Sequence, residues 1–336
     1  MGFFKSLFST EKSKASNDRT SKLQVIERAA KTGNIESMLE FADCGKRGEL
    51  TSYLGITLQE SREMGAAWYE RAASAGSVEA MLALGDMYHP NLALIVREDA
   101  AEACKWYEKA ADAGNMKGAY KAGTFYLGKN GVTKDYDKAL RLLTAAADSG
   151  IADAVKELGT IYERGLGVTK SINKAIELYE KASVMGSCFA DLCLGDIFYF
   201  GKGVDVNLAK AALHYAKAKR VNIPAAEVMI CRMQLLGQVY SSVPLETVYK
   251  TIVRLSEGFS KDYGKCTLAM LFENGCCVEQ DIPKALQYYI SAAEAGSEEA
   301  MYKLSDEDNC KALGYEPACE KAQYWKEKLN ECFRGH

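Results

Sequence analysis

The chain has 336 residues, with 42 basic and 45 acidic side chains and a formal net charge of −3. Hydrophobic residues make up 48% of the chain and charged residues 26%, which is typical of a soluble globular protein. The nearly neutral balance argues against a nucleic-acid-binding protein, which carries a basic footprint, and no apolar run reaches the roughly 20 residues of an integral membrane span.

The N-terminus joins a short apolar start to a polar stretch. The apolar part lies within residues 3–8 and is interrupted by Lys5, and residues 9–22 are rich in Ser, Lys, Thr and Asn. This start is too short for a secretion signal, so we expect a cytoplasmic protein. We interpret residues 1–17 as a flexible tail, and peripheral membrane association through residues 1–10 stays open.

One segment recurs along the rest of the chain, at residues 68–76, 106–114, 142–150 and 288–296 among others. We call the last residue of each copy its closing residue. The closing residues fall at positions 33, 76, 114, 150, 186, 222, 258 and 296, and all are glycine except Asn222. A near-constant period of this size marks a stacked array of helical units. Stability then comes from neighbour stacking, because no unit buries its apolar face alone.

Each unit is predicted to hold two helices. The first carries a small residue nine positions after the preceding closing residue, as at Gly85, Gly159 and Gly195. The second begins at a helix-capping residue 15 positions before its closing residue. These predicted caps are Asp18, Ser61, Asp99, Asp135, Ser171, Asn207 and Asp281. The closing residue supplies the left-handed backbone that ends the helix.

Three regions depart from the pattern. Residues 223–258 keep the spacing but lose the capping, alanine and aromatic residues of the pattern, so we interpret them as a degenerate repeat. Two explanations stay open: sequence drift, or a surface that binds a partner. Residues 38–64 are longer than one unit should be, which predicts an extended loop near residues 45–55. Residues 318–329 are predicted to form a C-terminal capping helix.

The repeated positions include Ala80, Leu84, Gly85 and Tyr88, which return as Ala154, Leu158, Gly159 and Tyr162. With the Gly-x-Gly-Val turns at 165–168 and 201–204, this pattern resembles the Sel-1-like repeat family of tetratricopeptide-type arrays. The resemblance covers roughly residues 18–330. It implies an all-α fold, an α-solenoid wound as a right-handed superhelix of about seven to eight helix-turn-helix repeats, over residues 18–336.

The sequence contains no recognisable catalytic motif. The segment 165–171 looks like a phosphate-binding loop, but no strand precedes it and its turn recurs at 201–204. His89 and His214 lack a partner at catalytic spacing, and the eleven cysteines do not follow a common zinc framework. We therefore predict a protein that is not an enzyme, with no catalytic residue, no cofactor and no metal.

The first helix of each unit lines the inner face in tetratricopeptide-type arrays, so the resemblance implies a concave binding face. Positions three, seven and ten residues after the closing glycine form one stripe that stacking does not use. Phe189 and Tyr199 add aromatic anchors. The predicted partner-binding residues are Glu79, Asp86, Lys117, Lys121, Glu157, Thr160, Phe189, Asp196 and Tyr199. Their mixed signs predict a partner that is neither strongly acidic nor strongly basic.

We accordingly expect a non-enzymatic scaffold or adaptor that binds another protein or a peptide segment, and no nucleic acid. Two alternatives stay open at this point: a dedicated inhibitor or immunity protein that occludes one enzyme, and a hydrolase with a site built on the array. The resemblance also leaves open delivery of the protein to a host.

Overall fold

The computed structural model describes residues 20–90, 99–128, 132–240, 242–258 and 260–333. Within these ranges the regular structure is helical and no β-strand occurs, which confirms the all-α class and its helical repeats. No helix there is both long enough and apolar enough to cross a membrane. The predictions for residues 1–17, 1–10 and Asp18 lie outside the described residues.

The first of two compact units comprises Met1–Ser149. Its helices pair into successive hairpins, and each hairpin packs on the next. The described helices of this unit are α1 (20–31), α2 (Ile35–Lys46), α3 (Leu50–Leu54), α4 (Leu58–Ser74), α5 (Val78–Tyr88), α6 (Ala100–Asp112), α7 (Met116–Tyr126) and α8 (Tyr136–Asp148).

The second unit comprises Gly150–His336 and continues the alternation of first and second helices. Its described helices are α9 (Ala152–Arg164), α10 (Ile172–Val184), α11 (Cys188–Phe200), α12 (Leu208–Arg220), α13 (Pro224–Leu235), α14 (Leu245–Ser256), α15 (Lys261–Asn274), α16 (Ile282–Glu294), α17 (Glu298–Leu304), α18 (Glu307–Ala312) and α19 (Ala318–Phe333). The last helix begins at the predicted residue and extends beyond 329, and its role as a cap stays a prediction.

The closing residues end the second helices largely as predicted. The left-handed backbone occurs at Gly33, Gly76, Gly114, Gly150, Gly186, Asn222 and Gly296. Gly258, which closes the degenerate repeat, does not adopt a left-handed φ. Helix α14 ends at Ser256, and the next residue, Glu257, has ordinary right-handed geometry, so this repeat ends differently from the others.

The predicted capping residues are confirmed at Asp99, Asp135, Ser171, Asn207 and Asp281, whose side chains accept a backbone N–H of the first turn. The prediction for Ser61 is wrong. Thr57 caps helix α4 instead, because Thr57 and Glu60 form a reciprocal capping box that starts the helix earlier. Ser61 is buried in the helix, where its hydroxyl donates to the Gly45 carbonyl at 3.0 Å.

The predicted extended loop near residues 45–55 is also wrong. Helix α2 continues to Lys46, and the short helix α3 occupies much of the remainder. Gly45 packs against Gly65 of α4 so closely that a Cβ on Gly45 would lie 2.6 Å from the Gly65 Cα. The additional residues therefore belong largely to helices. Helix α2 crosses α4 so closely that glycine is required on both helices at the crossing.

A buried tyrosine links the two helices of a unit. The hydroxyl of Tyr215 on α12 donates to Asp196 on α11 at 2.8 Å, and its ring lies against Gly195. Burial raises the pKa of Tyr215, so the hydroxyl keeps its proton and remains a donor. The same arrangement of tyrosine, glycine and acceptor recurs at Tyr107 with Gly85 and Asp86, and at Tyr179 with Gly159 and Glu163.

Candidate functional site

In the second unit, charged side chains join helices that are far apart in the sequence. The Nη2 atom of Arg164, at the end of α9, lies 2.5 Å from Oε1 of Glu298, at the start of α17 and 134 residues later. The Tyr263 hydroxyl on α15 donates to Asp196 on α11 at 2.5 Å. These contacts connect repeats that are not neighbours in the chain, and they enclose a cavity.

We call this cavity the inner pocket. Its volume is about 670 Å³, and helices α9, α11, α15 and α17 supply most of its walls. Its charged lining residues are Glu163, Arg164, Asp196, Lys202, Asp262, Glu298 and Glu299. The aromatic lining includes Tyr302, which is 71% exposed. The pocket therefore combines buried charges with an exposed aromatic ring.

Asp196 is a buried carboxylate of the pocket, and Lys202 is a half-buried cation near it. Burial raises the pKa of Asp196 to about 6, although Lys202 and the hydroxyls of Tyr263 and Tyr215 act in the opposite direction. Burial alone would lower the pKa of Lys202, but the charges of Glu163 and Asp196 outweigh it and raise that pKa. Lys202 consequently remains a cation at neutral pH.

A second ion pair fixes one wall of the pocket. The guanidinium of Arg232 on α13 donates to both carboxylate oxygens of Glu299 on α17, at 2.6 Å each. The Arg232 Cζ atom also lies 5.3 Å from the ring centroid of Tyr199 and 5.9 Å from that of Phe200. Burial opposes ionisation of Glu299, but the bonds from Arg232 prevail and lower the pKa of its carboxyl.

Asp262 differs from the other carboxylates of the inner pocket. Burial raises its pKa, and the effects that oppose this rise come from hydrogen bonds of the backbone at Tyr263 and at Asp262 itself. Among the described residues, no basic side chain forms an ion pair with Asp262. Its charge is therefore less compensated than that of Glu163, Glu298 or Glu299.

The structure separates the predicted partner-binding residues. The inner pocket contains only Thr160 and Asp196 of that set. Glu157 and Tyr199 are buried, and Glu157 Oε1 lies 2.6 Å from Lys156 Nζ. Phe189 is 53% exposed and does not line the pocket.

In the first unit, Asp86 accepts hydrogen bonds from Tyr107 at 2.6 Å and from Lys121 at 2.5 Å. Glu79 and Lys117 are exposed. The expectation that stacking leaves the stripe unused is thus wrong for several members, because the recurring tyrosine reaches the acid ten positions after the closing residue. Partner binding by the nine residues stays a prediction.

Most of the charged pocket lining was missed by the sequence interpretation. Extending the stripe to the last unit would have included Glu299, which lies three positions after Gly296. Nothing in the local pattern marks Arg164, Lys202 or Glu298, because their meeting depends on how successive repeats stack. Only the structure reveals that contact.

His214 does have a partner, contrary to the sequence expectation. Its Nδ1 atom lies 2.8 Å from Oδ1 of Asp191, and the Ser183 hydroxyl donates to the other Asp191 oxygen at 2.8 Å. Asp191 therefore stands between serine and histidine, whereas an activated serine requires the imidazole in the middle. Within the described ranges, no group of three or more His, Cys, Asp or Glu residues could hold a metal ion.

Comparison with known proteins identifies a matching protein family. The model of the Sel1 repeat matches residues 50–77, 78–115, 117–151, 152–187, 192–220 and 266–297. Among curated proteins, no relative matches.

Several solved structures are similar to the chain. One is a protective antigen present in uropathogenic Escherichia coli strains, with 23% identity and a TM-score of 0.64, over 94% of this chain and 69% of that one. Another is a Sel1 repeat protein from Oxalobacter formigenes, with 24% identity and a TM-score of 0.52, over 93% of this chain and 88% of that one. An immunity protein from Pseudomonas aeruginosa has 19% identity and a TM-score of 0.42, over 65% and 82% of the two chains, which is too weak to support an argument.

At these identities the solved structures establish the fold alone. The family assignment comes from the repeat model, which matches more than half of the chain, and Sel1 repeats are protein-interaction scaffolds. The matched segments coincide with helical hairpins of both units, and the residues from 221 to 265, which include the whole degenerate repeat, fall outside them. The chain belongs to the Sel1 repeat family.

Proposed function

We propose that the chain is a non-enzymatic adaptor that binds a segment of a partner protein in the inner pocket. The observation that carries this proposal is the pocket itself, a concave space of about 670 Å³ to which separate repeats contribute their first helices. A cavity of this size accommodates one or more side chains of a bound segment.

The walls of the pocket are held in place before any partner arrives. The Arg232–Glu299 pair ties α13 to α17, and Asp196 ties α11 to α15 through Tyr263. A preorganised site loses less conformational entropy on binding, so more of the contact energy appears as affinity. Tyr302 offers an exposed aromatic ring, the type of side chain that most often dominates binding energy.

Binding fits these groups better than hydrolysis does. Asp196 has the pKa most suited to a general base, but both of its oxygens accept tyrosine hydroxyls. Burial raises the pKa of the neighbouring Cys193 thiol to about 12, so the thiol remains protonated and is a poor nucleophile at neutral pH. A cytoplasmic location is part of the same proposal, because eleven unpatterned cysteines suit a reducing compartment.

Photo-crosslinking from the pocket tests the proposal. Benzoylphenylalanine replaces Tyr302 in the full chain, and in a matched protein it replaces Tyr240, which is 90% exposed in the same unit but outside the pocket. Both proteins are irradiated in an extract of cells that produce the chain. We expect the probe at position 302, and not the one at position 240, to label one contiguous segment of a partner protein.

A synthetic peptide of the labelled segment completes the test. It should bind the unmodified chain with one-to-one stoichiometry, and Tyr302→Ala should weaken binding about tenfold, as for an aromatic contact of moderate energy. Tyr240→Ala should leave the affinity unchanged. Equal labelling from both positions, or equal affinity of the Tyr302→Ala variant, would refute the assignment to the inner pocket.

A further inference from the structure

The inner pocket carries more negative than positive charge. Its lining contains five carboxylates, namely Glu163, Asp196, Asp262, Glu298 and Glu299, and two cations, namely Arg164 and Lys202. Both cations are already engaged: Arg164 with Glu298, and Lys202 with Glu163 at 3.4 Å. The charge left over is negative, so a cationic side chain is the best complement.

Asp262 is the carboxylate that such a cation would reach. It lines the pocket, is half-buried, and forms no ion pair with a basic side chain of the described residues. Its burial already disfavours the ionised form. An incoming positive charge would offset that cost, whereas the carboxylates of Glu298 and Glu299 already have basic partners.

The chain's own Arg232 illustrates how this side of the unit holds a cation. Its guanidinium donates two parallel hydrogen bonds to Glu299 and lies over the rings of Tyr199 and Phe200. A carboxylate combined with aromatic rings selects the planar guanidinium over the compact, strongly hydrated ammonium of lysine. Asp262 and Tyr302 both line the inner pocket and supply the same two chemical groups, a carboxylate and an aromatic ring.

Building on the proposed binding role of the pocket, we propose that the partner segment inserts an arginine side chain into the inner pocket, where Asp262 accepts hydrogen bonds from its guanidinium and Tyr302 offers its ring. This specifies a partner segment of positive local charge, whereas the mixed stripe predicted a partner that is neither strongly acidic nor strongly basic.

Peptides that differ only in one charge test the inference. The probes are fluorescein-labelled heptapeptide pools with randomised uncharged flanks and a fixed central residue: arginine, lysine, citrulline or glutamate. Citrulline has nearly the shape of arginine but no charge. Each pool is titrated against the full chain, against Asp262→Asn, and against Asp205→Asn, which alters an exposed aspartate outside the pocket.

We expect the arginine pool to bind about tenfold more tightly than the citrulline pool, with lysine between them, as for one charge-assisted, bidentate contact. Asp262→Asn should abolish this preference and Asp205→Asn should retain it. Asparagine keeps an acceptor oxygen, and the far-ultraviolet circular dichroism and melting temperature of each variant report whether the fold is intact.

Equal binding of the arginine and citrulline pools would overturn the inference, as would an arginine preference that survives in Asp262→Asn. If the pools bind equally well and Tyr302→Ala weakens all of them, the pocket is a binding site but does not select arginine. If crosslinking from position 302 captures no segment and no pool binds, the proposed function itself fails.

Discussion

The ring of Tyr215 lies directly against the backbone of Gly195. A Cβ placed on Gly195 would come within 3.0 Å of three ring carbons. The ring has no freedom to retreat, because Tyr215 is fully buried and its hydroxyl is held by Asp196. A side chain at position 195 would therefore clash with the ring at the present separation of α11 and α12.

Gly195→Ala should destabilise the protein. Alanine favours a helix over glycine by about 1 kcal/mol, but overpacking against an immobile ring costs about 1–3 kcal/mol, and the second effect should prevail at this anchored ring. Urea denaturation followed by circular dichroism measures the change. Gly258→Ala serves as the control, since Gly258 is exposed and no atom would approach its Cβ closer than 3.6 Å. Equal stability of the two variants would show that the ring does move.

Asp196 should make stability depend on pH in a definite direction. Because burial raises its folded pKa from 3.8 to about 6, the protonated form favours the folded state. This contribution is fully present below pH 3.8 and is lost as the pH rises through 6. The free energy of unfolding relative to Asp196→Asn should therefore fall by about 2 kcal/mol between pH 4 and pH 7. Asp205→Asn, an exposed control, should track the unmodified chain across the same range.

The Arg232–Glu299 pair should show strong energetic coupling. Arg232→Met leaves the half-buried carboxylate of Glu299 without its partner, which should cost about 2–3 kcal/mol, less than for a fully buried pair. The double variant Arg232→Met with Glu299→Met removes both charges and should recover part of that loss. A double-mutant cycle by chemical denaturation measures the coupling. Simple additivity of the two single changes would contradict the expectation.

Cys277 occupies a position that favours glycine. Its φ is 61°, and the equivalent turn residues in other repeats are Gly167 and Gly203, with φ of 66° and 71°. Cys277→Gly should stabilise the protein by about 0.5–1 kcal/mol, since relief of the left-handed strain exceeds the added entropy of the unfolded chain. Cys277→Ala keeps the Cβ and should bring no such gain. Thermal unfolding under reducing conditions compares the two variants.

The hairpins and their ends could be predicted from the sequence because every repeat obeys the same local rules. The prediction failed where a nearby alternative competed with the repeat frame. At Ser61 the capping box of Thr57 and Glu60 prevailed. Near residue 45 the added chain length became a helix crossing at Gly45 and Gly65, since two glycines let the backbones touch.

The candidate site was less accessible to sequence reasoning. The tyrosine that stands seven residues before a closing residue accompanies an acid in the same unit, as Tyr107 accompanies Asp86. Where Leu143 replaces the tyrosine, Thr124 stands in place of the acid, but Thr160 stands at the same position beside Tyr179, which bonds Glu163 instead. The position of the acid therefore varies between units, and the sequence pattern alone did not reveal that the stripe was partly occupied. The contact between α9 and α17 could not be predicted from the sequence, because it depends on the combined stacking of all the repeats between them.

The contact of Arg164 with Glu298 determines when the inner pocket can form during synthesis on the ribosome. The chain between these residues must be complete before they can meet, so the inner pocket does not exist while the ribosome is still translating α13 or α15. Earlier hairpins can pack as they emerge, because each needs only its neighbour. A nascent or prematurely terminated chain would thus present stacked helices without a finished place for a partner to bind.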